Sequence, residues 1–356
     1  MSNRRISVSA AILLAIAVLA GCFGEKKAPA GTPEERIAAA LDPCAEGRGP
    51  FAQRICQNQE LANLDGEVRE ALVGELAEVS EAGGQMLVQN EQRWREQMRV
   101  ACGVIDPEAE PTEAQTQCME NELRARARDA ASAVQTIGGY TFQRVELVDA
   151  TPVTAEAASA SGLGEFAPPA IVRDIRFPRI DGPQTPQIQR FNELVAQQPQ
   201  FRLEDATNEN VGYEIVYAGP KIVSVRFNIS SDTLGVAHPN NSTKAVTVDM
   251  DTGEPITANT VFQAGSGWQD FITERAVSTI AAQFEDWDFY PPQRDVRESA
   301  TKPHLWLISQ EGLTILFSPY SFGGSHAMGD VEVTISWADL APYLNPDAPQ
   351  PIGAES

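Results

Sequence analysis

Four cysteines constrain how the first part of this chain can fold. They occupy one quarter of its 356 residues, at Cys44, Cys56, Cys102 and Cys118. Successive pairs are separated by 12 and 16 residues, which matches no common Cys-x-x-Cys ligand spacing, and no histidine lies in this segment. A zinc site is therefore the weaker interpretation. In an exported protein, an even number of closely spaced cysteines indicates two disulfides.

The start of the chain predicts export. Arg4 and Arg5 precede an apolar stretch, residues 10–20, which is too short to span a bilayer and has the length of a signal-peptide core. The residues LAGC at 19–22 resemble the lipobox of bacterial lipoproteins. This resemblance implies cleavage before Cys22 and lipid attachment to its thiol, so that the mature chain is anchored to a membrane surface. The alternative is an ordinary signal peptide with an incidental cysteine.

The residues that follow Cys22 bear on location. In Gram-negative lipoproteins an aspartate directly after the lipidated cysteine favours retention in the inner membrane, and here Phe23 occupies that position. We therefore favour a periplasmic, outer-membrane location if the host has two membranes. After the lipoprotein signal peptide, residues 1–21, the small, polar and proline-bearing composition of residues 22–41 is typical of a tether.

Length and charge restrict the class of protein. Without the signal peptide 335 residues remain, which exceeds a comfortable single core and predicts two domains. The whole chain carries 27 basic and 49 acidic residues, and loss of two leader arginines changes its net charge from −22 to −24. Such an acidic protein is a poor partner for nucleic acid or anionic lipid, and it attracts cationic partners at low salt.

Helical periodicity dominates the predicted first domain, residues 42–135. Apolar residues recur every three or four positions in its first half, which predicts an amphipathic helix. These residues are Leu61, Leu64, Val68, Leu72, Leu76 and Val79. Gly83-Gly84 predicts a break or a turn before a second helix. Thr112 and Gln115 predict a capping box at the start of a third helix, which runs towards Val134.

An up-down-up arrangement of these helices gathers the cysteines at one end. All three pairings of the four cysteines are then open. We favour Cys44–Cys56 together with Cys102–Cys118, because these bridges close short local loops. Each bridge is expected to contribute about 2–4 kcal/mol to a bundle whose core is small.

The segment 50–72, PFAQRICQNQELANLDGEVREAL, resembles the opening helix of the LprI-like lysozyme-inhibitor domain. The residues that resemble the later helices of that family are Trp94, Cys102, Cys118, Met119, Arg124 and Arg126. The chain departs from the family at Met98, where an arginine is usual. The resemblance implies a small disulfide-bridged all-α domain that binds lysozyme. From the residues alone, Trp94 is expected to pack in the core and Asp65 to be solvated or to cap a helix.

Residues 138–346 change to the patterns of strands, and Gly138-Gly139 is expected to end the helical part. Four stretches alternate in polarity or are rich in β-branched residues, at 140–153, 171–180, 213–232 and 244–257. Ala218-Gly219-Pro220 and Asp251-Thr252-Gly253 predict turns within the last two. Two helical segments, Thr185–Gln198 and Gly267–Phe284, are interspersed. The Ala, Ser, Gly and Pro-rich residues 154–170 predict a loop or an internal linker. The pattern predicts an α+β domain with a mainly antiparallel sheet.

Two segments of this region, 223–262 and 311–344, resemble the C-terminal domain of RsiV-type anti-sigma factors. The motifs that carry the resemblance are Gly235–His238, Asp249–Gly253, Pro319-Tyr320 and Gly329. The resemblance implies an α+β fold and, in that family, the sensing of lysozyme at the cell surface. Residues 347–356 follow as a tail.

Candidate chemistry in this region is sparse. His238, His304 and His326 are the only histidines in the chain, and a metal site would require two or three of them to converge. The sequence contains no G-x-S-x-G nucleophile elbow. We therefore expect no enzyme, no catalytic residues, no metal and no cofactor. His238 and His326 are predicted to satisfy hydrogen bonds in their loops, and Asp249 and Asp251 to form a turn.

Two parts of one chain thus resemble families with members that bind lysozyme. Lysozyme is strongly cationic and this chain is strongly anionic, so long-range attraction between them is expected. The sequence favours a lipid-anchored envelope protein that binds lysozyme or a related muramidase, with inhibition as a further possible outcome of binding. The alternative is a non-enzymatic envelope scaffold or sensor that binds peptidoglycan or another envelope protein. A hydrolase or deacetylase is the weakest interpretation.

Overall fold

The structure is a computed structural model that describes residues 32–44, 49–197 and 206–353. The predicted signal peptide and the predicted lipid attachment at Cys22 lie outside these residues. Among the helices of the described part of the chain, none combines the length and the apolar character needed to cross a bilayer.

Helix formation begins inside the segment predicted as a tether. Helix α1 (Pro33–Ala40) starts at a capping box, in which Thr32 and Glu35 each accept a hydrogen bond from the other's backbone amide. It buries Ile37 against the helical core. The end of the predicted tether is therefore part of the folded structure.

Four more helices complete the N-terminal region. They are α2 (Pro50–Gln57), α3 (Gln59–Gly74), α4 (Glu81–Ala101) and α5 (Glu113–Ala130). Asn58 separates α2 from α3, because its backbone is extended and its side-chain oxygen accepts hydrogen bonds from the first amides of α3. The capping box of Thr112 and Gln115 at the start of α5 is confirmed. The helix ends before Val134, which begins a strand instead.

The glycine pair that predicted a break lies inside α4. The break falls earlier, at Ser80, whose hydroxyl accepts a hydrogen bond from the amide of Gly83. A Cβ atom at Gly83 would meet the Asp181 carboxylate at 2.8 Å, and one at Gly84 would meet the Ile37 side chain at 2.5 Å. The glycines therefore allow close approach of α4 to its neighbours, and this packing outweighs their low helix propensity.

Two disulfides join the helices at one end of this region. Cys44 is bonded to Cys56 and Cys102 to Cys118, with Cα–Cα distances of 5.7 and 5.6 Å. Both distances lie in the usual range for disulfides. This is the pairing that the sequence favoured.

The C-terminal region is built on a seven-stranded sheet in the order β1 to β7. Its strands are β1 (Val134–Ile137), β2 (Tyr140–Pro152), β3 (Ala170–Ile180), β4 (Thr207–Ala218), β5 (Ile222–Thr233), β6 (Asn240–Asp249) and β7 (Glu254–Pro255). All neighbours are antiparallel except β3 and β4. The α+β architecture with a mainly antiparallel sheet is therefore confirmed, as are the hairpin between β4 and β5 and the turn between β6 and β7.

Gly138-Gly139 forms the turn of a β-hairpin and does not simply end the helical part. Ile137 pairs with Tyr140, so the two glycines are the whole loop between β1 and β2. Both have positive φ, 60° and 85°. A two-residue hairpin loop of type I′ requires this conformation at both positions, and Gly-Gly supplies it without steric cost.

Residues 154–170 connect β2 to β3 and contain a short helix, α6 (Ala155–Ala160). The two strands pair from Phe142 opposite Ile180 to Pro152 opposite Ala170. The segment is thus a long loop within one sheet. After β3, helix α7 (Pro186–Gln197) buries Phe191 against the sheet.

A second, three-stranded sheet packs on the first. Its antiparallel strands are β8 (Trp306–Ile308), β9 (Gly312–Phe317) and β10 (Val331–Ser336), and the helices around it are α8 (Ala258–Val261), α9 (Trp268–Gln283), α10 (Gln293–Ala300) and α11 (Trp337–Leu340). The Thr247 hydroxyl donates to the Trp306 carbonyl (2.9 Å), and the Ile308 amide donates to the Ser224 hydroxyl (3.1 Å). These buried bonds fix the two sheets together.

Helix α4 covers the open edge of β2. Strand β1 pairs only with residues 140–143, so the backbone groups that follow need other partners. The Asn90 amide group donates to the Arg144 carbonyl (2.8 Å) and accepts from the Glu146 amide (3.2 Å). Arg93 donates to the Glu146 carbonyl (2.6 Å). The helical region therefore packs directly on the sheet.

We predict that Gly138→Ala is more destabilising than Gly139→Ala. Positive φ costs alanine about 1–2 kcal/mol at either position. At Gly138 the added Cβ would also lie 2.0 Å from the backbone oxygen of Ala218, whereas nothing lies within 4 Å at Gly139. In urea unfolding, Gly138→Ala should lower the free energy of unfolding by about 2 kcal/mol more than Gly139→Ala does. Equal losses would contradict the crowding of this turn against β4.

Candidate functional site

Apart from the disulfide cysteines, His304 and the turn of Asp249 and Asp251, the candidate residues that the structure describes lie in two places. One set is buried where the helices meet β2 and β3. The other set lies in surface loops at the ends of β5 and β9. Burial of the first set determines which of its members remain available to a partner.

A chain of buried ion pairs crosses from the helices to the sheet. The Arg95 guanidinium lies 2.8 Å from Asp65 and 2.9 Å from Glu91. Arg126 lies 3.1 Å from Glu91 and 2.9 Å from Glu146 on β2. All five side chains are almost completely buried. The prediction that Asp65 is solvated or caps a helix is therefore wrong, because two arginines, Arg95 and the neighbouring Arg69, compensate its charge in the interior.

Trp94 packs in the core as predicted, and it also contacts this chain of charges. Only 5% of its surface is exposed, and the Arg126 guanidinium lies 5.2 Å from the centre of its ring system. This distance is typical of a cation–π contact. Arg126, which carried part of the LprI-like resemblance, is therefore held inside the protein.

Glu146 sits between two arginines. Its carboxylate accepts from Arg126 at 2.9 Å and from Arg144 at 2.7 Å. Burial by itself raises the pKa of Glu146, but the two guanidiniums outweigh it and lower the pKa from 4.5 to about 2. Glu146 is thus ionised at every physiological pH.

A pocket of about 320 Å³ opens beside this chain of charges, between α4, α5 and β3. We call it the junction pocket, and its principal lining residues are Trp94, Met98, Glu122, Val172, Asp174 and Arg176. A volume near 300 Å³ is at the lower end of the range for small-molecule sites.

Two of the three histidines come together in the second place. The rings of His238, in the β5–β6 loop, and His326, in the β9–β10 loop, stack at 4.0 Å with planes 16° apart. The Nδ1 atom of His238 donates to the Pro239 carbonyl at 3.1 Å, which agrees with the predicted loop hydrogen bond. His304 lies apart, and burial followed by the nearby Lys302 lowers its pKa.

The loops that hold these rings are fixed at their bases. The amide of Thr243 donates to the Ser318 hydroxyl at 2.9 Å, which joins the β9–β10 loop to β6. Gly235 approaches the Ser161 carbonyl so closely that a Cβ atom would lie 2.2 Å from that oxygen. Tyr320 has a positive φ of 69° and is 59% exposed, with its ring 6.4 Å from that of His326.

A third segment, which follows α9, brings two more exposed aromatic side chains. Trp287 is 54% exposed and Tyr290 is 72% exposed. Their segment packs on the β9–β10 loop. The ring centroids of Phe284 and Phe289 lie 6.1 and 6.0 Å from that of Phe322, which belongs to this loop. The sequence signal that could have found them is EDWDFY, in which three aromatic residues stand among three acidic ones.

We call these side chains of three adjacent loops, which are exposed except for the half-buried His326, the loop surface. Its members are Val236, His238, Trp287, Tyr290, Tyr320 and His326. Asp249 and Asp251 do not belong to it: they form the predicted turn, in which the Asp251 amide donates to the Asp249 carboxylate at 2.9 Å. In the part of the chain that the structure describes, no three His, Cys, Asp or Glu side chains converge as a metal site requires.

Comparison with known proteins places part of the chain in a family context. Residues 259–338 match the model of a family described as Protein of unknown function (DUF3298). A member of that family from Bacteroides fragilis has a solved structure that is 13% identical, with a TM-score of 0.40, over 60% of this chain and 96% of that one. A second, from Pseudomonas aeruginosa, is 12% identical, with a TM-score of 0.42, over 58% of this chain and 95% of that one. No curated protein matches.

These matches assign no activity. They name neither the LprI-like nor the RsiV-like family, so both resemblances stay predictions.

We predict that Arg126→Ala lowers the free energy of unfolding by about 3–5 kcal/mol, because it leaves the buried Glu91 and Glu146 carboxylates without a shared partner. Arg124→Ala is the matched control, two residues away on the same helix. Arg124 is exposed and forms an ion pair with the exposed Glu60, so its loss should cost at most about 1 kcal/mol. Urea unfolding of both variants measures the two losses of unfolding free energy. Similar losses would show that the buried pairs do not hold helices and sheet together.

The lowered pKa of Glu146 predicts a pH dependence. Since the pKa in the folded protein, about 2, lies below the ordinary value of 4.5, ionised Glu146 stabilises the fold above about pH 4.5. This contribution, about 3 kcal/mol, is lost as the pH falls towards 2. The difference in unfolding free energy between wild type and Glu146→Gln should therefore be constant above pH 5 and shrink below it. A difference that does not change with pH would contradict the assignment.

Proposed function

We propose that this chain is a non-catalytic, lipid-anchored protein of the bacterial cell envelope that binds lysozyme or a related cationic muramidase through its loop surface. The LprI-like and RsiV-like resemblances belong to this proposal, as do lipid attachment at Cys22, the outer-membrane location and a division into two functional domains. The observation that carries it is the collection of exposed rings from three separate loops on one part of the molecule.

The composition of the loop surface supports a protein partner. Tyrosine and tryptophan are enriched in protein interfaces and among the residues that dominate binding energy. Trp287, Tyr290 and Tyr320 are each more than half exposed. Their loops are held by packing and hydrogen bonds, so little conformational freedom would be lost on binding.

Charge supports a cationic partner. Glu285, Asp286 and Asp288 surround Trp287 in the sequence, and the whole chain has a net charge of −22. Arginine and lysine side chains of a partner can pair with these carboxylates and stack on the aromatic rings. The surrounding negative field would raise the rate of encounter at low salt.

The β9–β10 loop is the best candidate for insertion into the cleft of a muramidase. It presents Tyr320, and its base is fixed by the bond between Thr243 and Ser318. His326 of the same loop stacks on His238 of the β5–β6 loop, and its ring lies 6.4 Å from that of Tyr320.

We predict that Tyr320→Ala and Trp287→Ala each weaken lysozyme binding about 5- to 30-fold, the effect of removing a strong interface aromatic. Ile105→Ala, which removes an exposed side chain of the helical region, is the matched control. Calorimetric titration of the soluble chain beginning at Ala28 should also show tighter binding at 50 mM than at 200 mM salt. Point variants are needed, because the helical and sheet regions share buried ion pairs and should not be separated.

Parallel assays identify the consequence of binding. Inhibition should appear as slower lysis of cell walls by lysozyme when the chain is added stoichiometrically. Absence of binding at low salt would refute the proposal, and sedimentation of the chain with purified peptidoglycan would then favour the scaffold alternative. If Ile105→Ala were the only one of the three variants to lose binding, the contact would lie in the helical region instead.

A further inference from the structure

Five of the eleven residues that line the junction pocket are apolar, and the others are polar or charged. Met98 and Trp94 of α4 face it from one side, and Val172 of β3 lines it from another. Two small residues, Ala101 and Ala125, complete the apolar part of the lining, and their short side chains occupy little of the pocket. An apolar chain of several carbon atoms fits such a space, and contact with these walls would remove it from water.

The arginines that line the pocket are already engaged. Arg176 lies 2.7 and 2.8 Å from the two oxygens of Asp174, and 2.7 Å from Asp129. Arg126 is held by Glu91 and Glu146. Neither guanidinium is available as the anchor of an anionic ligand.

Glu122 differs from the other carboxylates of the pocket. Among the described residues it takes part in no ion pair, and it stands at the rim beside Asp174. Partial burial and then the negative charge of Asp174 raise the pKa of Glu122, which is the response of a carboxylate that lacks a cation. A positive group placed here would relieve this repulsion.

We propose that the junction pocket binds a primary ammonium group carried on an apolar chain, with the ammonium on Glu122 and the chain against Met98 and Val172. A bare metal ion does not fit, because no three ligating side chains of the described residues converge. An anionic ligand does not fit, because it would face Glu122 and find both arginines occupied. A free alkylamine and a lysine side chain of a polypeptide share the required chemistry.

The test is a titration of the soluble chain beginning at Ala28, labelled with ¹⁵N, with pentan-1-amine and with pentan-1-ol. The two probes differ in the charged group alone. The amine should shift the signals of Ala101, Ala125 and the Trp94 indole. It should also bind at least about tenfold more tightly than the alcohol, since only the amine forms a charged hydrogen bond with Glu122. Equal binding of the two probes, or shifts confined to other regions, would overturn the proposal.

Two variants of α5 separate the site from the general acidity of the chain. Glu122→Gln should reduce the affinity for the amine about tenfold, to that of the alcohol. Glu120→Gln removes the same charge from the same helix outside the pocket and should leave the affinity unchanged. Equal effects of the two variants would overturn the site. Both residues lie at or near the surface, and unchanged spectra elsewhere verify the fold.

The source of the ammonium is decided by a third probe. In N-acetyl-lysine N-methylamide the ammonium is carried on five carbons counted back to Cα, as in pentan-1-amine, and Cα is flanked by two peptide groups. Tighter binding of this derivative than of pentan-1-amine would assign the pocket to a lysine of a polypeptide, and weaker binding would assign it to a free amine. The pocket is separate from the loop surface, so its proposal stands or falls independently of lysozyme binding.

Discussion

Glu91, Arg126 and Glu146 form the buried contact on which the arrangement of helices and sheet depends. Each charge of this trio is held on two sides, so none can move without leaving another uncompensated in a medium that solvates charge poorly. Such a contact adds little net stability compared with an apolar interface of similar size. A different register of the helices on β2 would separate Arg126 from Glu146 and leave both charges buried without this partner.

The register fixed in this way has consequences along the sheet. With α4 in place, Asn90 completes the hydrogen bonding of β2 beyond the short strand β1. Strand β2 continues into the 154–170 connection. Ser161 of this connection packs against Gly235 of the β5–β6 loop. The loop surface therefore rests on a framework that the buried charges help to hold. The junction pocket is the space left where α4 and α5 diverge from β3.

The same framework explains why two motifs of glycine were misleading. Gly83-Gly84 and Gly138-Gly139 both suggested the ends of helices, because glycine has a low helix propensity. The first pair lies within α4 and allows close contact with Asp181 and Ile37. The second is a hairpin turn that requires positive φ. Glycine at these sites serves needs that only the neighbouring elements define.

The sequence by itself determined the features that depend on residues close together in the chain. These include the capping box of Thr112 and Gln115, the turns between β4 and β5 and between β6 and β7, and the α+β class of the second region. For the disulfides the sequence favoured the short-range pairing but left the other two open. Local hydrogen bonds and hydrophobic periodicity are sufficient for them.

Only the tertiary structure decided which distant residues meet. It buried Asp65 against Arg95, stacked His238 on His326, and left Trp287 and Tyr320 exposed on adjacent loops. These outcomes follow from the packing of helices on a sheet and of one sheet on another. Such packing depends on contacts between residues that are far apart in the chain, and the local pattern around each residue carries no information about its distant partner.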